Sequence, residues 1–139
     1  MENFNFTVEY ENELITTAKH IHSGTELRTD APLDNHGKAS SFSPTDLVSI
    51  SLASCMISVI AIQFQNREKK LYPVKSKVRK VMAADPRRIA EIWIEFDFGA
   101  NDFTQEELSQ LERLAHACPV ANSLSENIII KTNFTEPLG

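Results

Sequence analysis

From Leu47 to Phe64 the sequence reads LVSISLASCMISVIAIQF, which is apolar on nearly every side of a helix. Its start is strongly marked. Ser43 suits an N-cap, Pro44 suits the first helical position, and Asp46 falls three residues after the cap, as in a capping box. The pattern predicts a helix from Pro44 to about Lys69 or Lys70. A helix without a wet face belongs in a core or in a bilayer. Eighteen residues approach the length of a membrane span. Ser49, Ser51, Ser54, Ser58 and Gln63 interrupt the run, however, and the rest of the chain is amphipathic. The expectation is a central core helix with no membrane partner. A chain of 139 residues makes one domain, spanning 1–139, and can hardly enclose such a helix alone. A partner subunit covering part of it, most simply in a two-fold homodimer, is expected.

Around this helix the signals are mostly those of strands. Phe4, Phe6, Val8 and Tyr10 alternate with polar residues, the period of a strand with one buried face. Leu14 to Ile21 and Thr25 to Thr29 read as two more strands, turned at Ser23-Gly24. Residues 30–41 are rich in turn formers and lack any period, so they form a loop. After Pro73, Val74 to Met82 and Ile89 to Phe98 alternate on either side of Asp85-Pro86, an antiparallel hairpin with Trp93 on the face opposite Ile92, Ile94, Phe96 and Phe98. Thr104-Gln-Glu-Glu opens a second helix with a capping-box pattern, ending before Cys118-Pro119. A short helical turn covers Val120 to Leu124, and Asn127 to Phe134 is the last strand. Strands and helices segregate rather than alternate, so the fold class is α+β with mainly antiparallel sheet.

Charge and motifs narrow the chemistry. The net charge of −5 argues against a nucleic-acid partner, and Arg67–Lys70 and Lys75–Lys80 read as solvated faces. The start of the chain lacks a charged region followed by an apolar one, so no signal peptide is expected and the location defaults to the cytoplasm. With four glycines there is no phosphate loop, and there is no CxxC motif. No cofactor and no metal are expected. His20 and His22 share a strand face but read as surface residues; His36 lies in the loop and His116 two residues before Cys118.

The two cysteines differ in setting. Two small buried hydrophobes are the plain reading, since a permanent disulfide is not expected in a reducing compartment. Cys55 lies mid-helix among aliphatic residues, where burial raises a thiol pKa, so it needs a cation or donor from elsewhere. Cys118 precedes Pro119 and is placed to cap a helix, whose N–H groups and dipole favour a thiolate. On local physics Cys118 is the better candidate for a low pKa.

These residues also carry a resemblance. Ser43-Pro44-Thr45-Asp46-Leu47-Val48 with Leu52-Ala53-Ser54-Cys55-Met56 resembles the first-cysteine motif of the OsmC/Ohr family. Ala115-His116-Ala117-Cys118-Pro119-Val120-Ala121-Asn122-Ser123-Leu124 resembles its second-cysteine motif, and Thr29 to Lys38 resembles the segment before the helix in an OsmC-like branch. The resemblance implies an OsmC-like fold, an intertwined two-fold dimer with sheets wrapped around central cysteine-bearing helices. It implies thiol-dependent reduction of hydroperoxides, with Cys55 attacking the peroxide bond and Cys118 condensing with the resulting sulfenic acid. It implies a dithiol reductant, lipoyl-bound in characterised members. Organic hydroperoxides are the favoured substrates, because Met56, Ile57 and their neighbours form an aliphatic wall.

The sequence also departs from the family pattern. The best-studied members carry a glutamate after the motif proline, paired with an N-terminal arginine. Here Thr45 follows Pro44, and the acid is Asp46, one residue later. Of the cations available to replace the arginine, Arg28 is the first choice, ahead of Lys19 and His20. Asp46 has the competing structural role of capping acid. The site residues are therefore Cys55, Cys118, Arg28 and Asp46. The alternative is a non-catalytic OsmC-like protein that binds a small apolar ligand or senses oxidants.

Overall fold

The computed structural model describes residues 3–134. The chain divides into two compact units, residues 1–48 and 49–139. In the first, β1 (Phe6–Asn12), β2 (Ile15–His20) and β3 (Glu26–Asp30) form an antiparallel meander in the order β1-β2-β3. The β1–β2 turn takes its chirality from Glu13 and Leu14, both at positive φ (50° and 67°), as a hairpin turn matched to strand twist requires. The alternation expected from Phe4 to Tyr10 is present, but its apolar face is bare: Phe6, Val8 and Tyr10 are 63%, 68% and 66% exposed.

The loop after β3 is pinned by one buried carboxylate. Asp30 accepts hydrogen bonds from the Ser40 N–H (3.1 Å), the Ser40 hydroxyl and the Lys38 N–H (3.5 Å). The Ser40 bonds hold the Asp30 carboxyl below the usual carboxylate range. Gly37 is required by close approach, since a Cβ there would lie 1.7 Å from the Ala31 carbonyl oxygen.

Helix α1 (Pro44–Asn66) opens with the expected capping box: the Ser43 N–H donates to Asp46 Oδ2 (2.8 Å) and the Asp46 N–H donates to Ser43 Oγ (3.1 Å). It closes three or four residues before the sequence pattern suggests. Glu68 adopts a left-handed φ of 55°. The Lys69 N–H reaches back to the Phe64 carbonyl (2.9 Å) and the Glu68 N–H to that of Gln65 (3.0 Å), the paired closure of a Schellman motif. Glycine normally marks that position; a glutamate gives no such signal.

In the second unit, β4 (Lys75–Ala83) and β5 (Arg88–Asp97) form the antiparallel hairpin, with Val78 opposite Ile94 and a register shift at Val81/Met82. α2 (Gln105–His116) begins with a capping box between Thr104 and Glu107, and α3 (Pro119–Ser123) follows at once. β6 (Ile129–Asn133) then pairs with β5 in parallel, giving the order β4-β5-β6. Trp93 faces away from the core, flanked by the Arg79 guanidinium at 5.1 Å and the Lys131 ammonium at 4.5 Å from its ring centre.

The core of this unit forms where α1 meets β5 and α2. Leu52, Met56 and Ile60, four residues apart on one stripe of α1, are essentially inaccessible, as are Ile92 and Ile94 of β5 and Ala115 of α2. Each large aliphatic side chain buried this way stabilises the fold by about 2 kcal/mol. Phe96, Phe98 and Phe134 close one end, with ring centres 4.7–6.0 Å apart. By length and composition α1 could cross a bilayer. Its stripe is instead the centre of this core, while Ile50 and Ile62 on its other sides are 39% and 54% exposed.

Candidate functional site

The site grows from the end of α2. Its last turn closes with the Ala117 N–H donating to the Leu114 carbonyl and the Cys118 N–H to that of Ala115, both at 3.1 Å. Cys118 then turns extended (φ −70°, ψ 156°), Pro119 supplies the first helical residue, and α3 begins. Cys118 is the N-cap of α3: its Sγ accepts from the Ala121 N–H at 3.5 Å.

Both cysteines are free thiols. They lie near enough to interact electrostatically, since Cys55 is one of the groups that shift the Cys118 thiol. Cys118 is 1% exposed and Cys55 half-buried, so the deeper thiol is not the mid-helix one. The expected cap at Cys118 is present, but the low pKa expected from it is not. Burial pushes the Cys118 thiol up, and the neighbouring Cys55 adds to the rise; the Ala121 and Val120 N–H groups pull the other way without overcoming it. A helix of five residues offers a weak dipole, and desolvation outweighs it.

The other expected site residues belong to residues 1–48 and have partners there. Arg28, on β3, forms an exposed ion pair with Glu11 at 3.8 Å. Asp46 holds the Ser43 N–H at the start of α1. Two histidines also have partners: His20, read as a surface residue, shares a hydrogen bond with the Ser23 hydroxyl (2.6 Å), and in the second unit His116 bonds Thr132 on β6 (2.8 Å). Among the described residues no group of three or more His, Cys, Asp or Glu side chains is placed to hold a metal.

The expected aliphatic wall is only half present. Met56 is fully buried in the core and does not line the groove beside Ile57. Ile57 does line one: a groove of about 410 Å³ between α1 and β4, bounded also by Ile50, Val78, Ser54 and Ser58. The contribution of β4 to this groove was not foreseen. The alternation of Ser76 and Val78 on one strand face was the available signal.

Comparison with known proteins accords with this architecture. A family model described as OsmC-like protein matches residues 36–133. A Psychrobacter arcticus protein, described as responding to osmotic stress and in detoxification, is 39% identical, with a TM-score of 0.89 over 95% of this chain and 96% of that one. An OsmC-like protein of unknown function from Vibrio cholerae is 13% identical, with a TM-score of 0.76 over 96% of this chain and all of that one (100%). An organic hydroperoxide resistance protein of Legionella pneumophila is 17% identical, with a TM-score of 0.71 over 95% and 97% of the two chains. A search among curated proteins gave no match. The α+β architecture is thus that of the OsmC-like structures. The chain belongs to the OsmC-like family, whose solved members include proteins named for organic hydroperoxide resistance.

Proposed function

We propose that this chain is a thiol-dependent hydroperoxide reductase working through Cys55 and Cys118. The observation that carries the reading is the electrostatic interaction of the two free thiols, which lie on different elements, α1 and the α2–α3 junction. The half-buried Cys55 is the nucleophile. Its thiolate attacks one peroxide oxygen, the O–O bond breaks, an alkoxide leaves and is protonated, and Cys55 becomes a sulfenic acid. Cys118 then displaces water from that sulfur, forming a disulfide. A dithiol, lipoyl-bound in characterised relatives, returns both thiols by exchange and leaves as its own disulfide. The Ile50–Ile57–Val78 groove favours organic over inorganic peroxides, since it takes an apolar tail.

We place this chemistry in a single OsmC-like domain, 1–139, acting in the cytoplasm, where free thiols persist. It acts as an intertwined two-fold dimer: Ile50 and Ile62 on α1, and separately Phe6, Val8 and Tyr10 on β1, are apolar surface that a lone chain leaves wet. Sedimentation of a monomer at micromolar concentration would reject the dimer. For the chemistry, reduced protein is mixed with cumene hydroperoxide or hydrogen peroxide and free thiols are counted. Loss of both thiols is expected, faster with the organic peroxide. Thiol loss no faster than that of free cysteine refutes the reading.

A second reading, a non-catalytic binder or oxidant sensor, is favoured by one observation. Within residues 49–134 no cation is hydrogen-bonded to either thiol, and Cys118 is pushed up rather than down. Titration of Cys55 by its rate of alkylation separates the two: a thiol titrating at or above the free range supports the sensor, a depressed one the enzyme.

A further inference from the structure

A cavity of about 480 Å³ lies between the C-terminal end of α1 and one face of α2, and neither cysteine lines it. Its floor is apolar: Leu111 is buried, and Phe64 and Leu114 are half-buried. The Phe64 ring is fixed edge-on against Phe103, with 5.5 Å between centres. Its rim is cationic, carrying the exposed Arg67, Lys69 and Arg113. In a chain of net charge −5 this is a local concentration against the average.

The rim charges are not equally compensated. Glu107, the one acid lining the cavity, accepts the Thr104 N–H at 3.1 Å and lies in the field of Lys69. The ion pairs of the described residues include neither Arg67 nor Arg113. Arg67 is held instead by a neutral group. With the Gln63 amide turned so that its oxygen faces Arg67, that oxygen accepts from Nη2 at 2.8 Å and Nε at 3.0 Å. That fixes the guanidinium without cancelling its charge, and leaves its other N–H groups for a ligand.

We propose that this cavity binds an amphipathic carboxylate, an apolar chain ending in one carboxylate group, at a site separate from the thiol pair. The chain lies on Phe64, Leu111 and Leu114, and the carboxylate takes the arginine rim, where a guanidinium fork matches it in two parallel hydrogen bonds. A doubly charged head fits less well, because the Glu107 carboxylate lines the same space. A neutral head leaves the arginines unanswered. The volume lies within the range of small-molecule sites.

The test is calorimetric titration of decanoate into the full-length reduced protein. Saturable binding at one site per chain is expected. The double variant Arg67→Gln/Arg113→Gln, checked for its fold by circular dichroism, should bind at least about tenfold more weakly, the scale of losing a charge-assisted hydrogen bond. Decanol should bind more weakly than decanoate, and protein with both thiols blocked by N-ethylmaleimide should bind decanoate as before. The proposal is overturned by a failure to saturate, by equal affinity in the double variant or for decanol, or by loss of binding on thiol blockade. The last result would assign the carboxylate to the cysteine site.

Discussion

Replacing Asp46 distinguishes a capping acid from a catalytic one. Asp46 accepts the Ser43 N–H at 2.8 Å, and Ser43 Oγ accepts the Asp46 N–H at 3.1 Å, so each satisfies a donor that the helix itself cannot. Ser43→Ala removes one cap acceptor at a 1%-exposed position and should cost about 1–2 kcal/mol. Asp46→Asn keeps an acceptor but loses the charge that complements the helix N-terminus, so about 0.5–1 kcal/mol is expected. Because the two bonds are reciprocal, the double variant should cost less than the sum, with a coupling of roughly 0.5–1 kcal/mol. Urea unfolding measures these values, and each 1 kcal/mol should lower the melting temperature by roughly 3–4 °C. A domain stable by about 5–15 kcal/mol remains folded throughout, so the rate of peroxide consumption should not change. If Asp46→Asn abolishes peroxide consumption while the urea midpoint stays in place, the capping argument is wrong and Asp46 is catalytic.

Three further outcomes follow from the structure. Cys118→Ser should leave Cys55 as a persistent sulfenic acid after one peroxide equivalent, trapped by dimedone and seen by mass spectrometry; an unmodified Cys55 would contradict its role as the attacking thiol. The raised pKa of Cys118 keeps it protonated in the folded state, so its contribution to stability is present below the ordinary thiol range, about pH 8.5, and is lost as pH rises above it; urea midpoints of wild type and Cys118→Ala should converge in alkali. Asp30 is depressed, so the loop it holds should keep its strength above about pH 4 and loosen as pH falls through the folded-state value, with amide exchange at Lys38 and Ser40 reporting the change.

Much of the fold could be read from the sequence because its signals are local. The Ser43–Asp46 and Thr104–Glu107 boxes start both long helices where the pattern puts them. The β4–β5 hairpin and the outward Trp93 follow from alternation alone. What stayed hidden depends on distance in space. The parallel pairing of β6 with β5 has no local marker, and the left-handed Glu68 ends α1 where glycine would have announced it. For the site, the cap at Cys118 was legible, but its electrostatics were not. Depth of burial is set by the elements that close over the sulfur, and those come from elsewhere in the chain. Met56 shows the same limit: the helix wheel says that it is apolar, not which way it turns.

The parallel pairing of β5 and β6 makes β6 a remote custodian of the proposed redox pair. Parallel neighbours oblige the chain to travel back along the sheet between them, and Cys118 rides on that return path. A lesion that removes β6, such as a stop codon before Ile129, would leave both cysteines encoded and intact. It would abolish the reason for the return path to lie where it does, and the loss of thiol pairing would be read, wrongly, as a defect in cysteine chemistry.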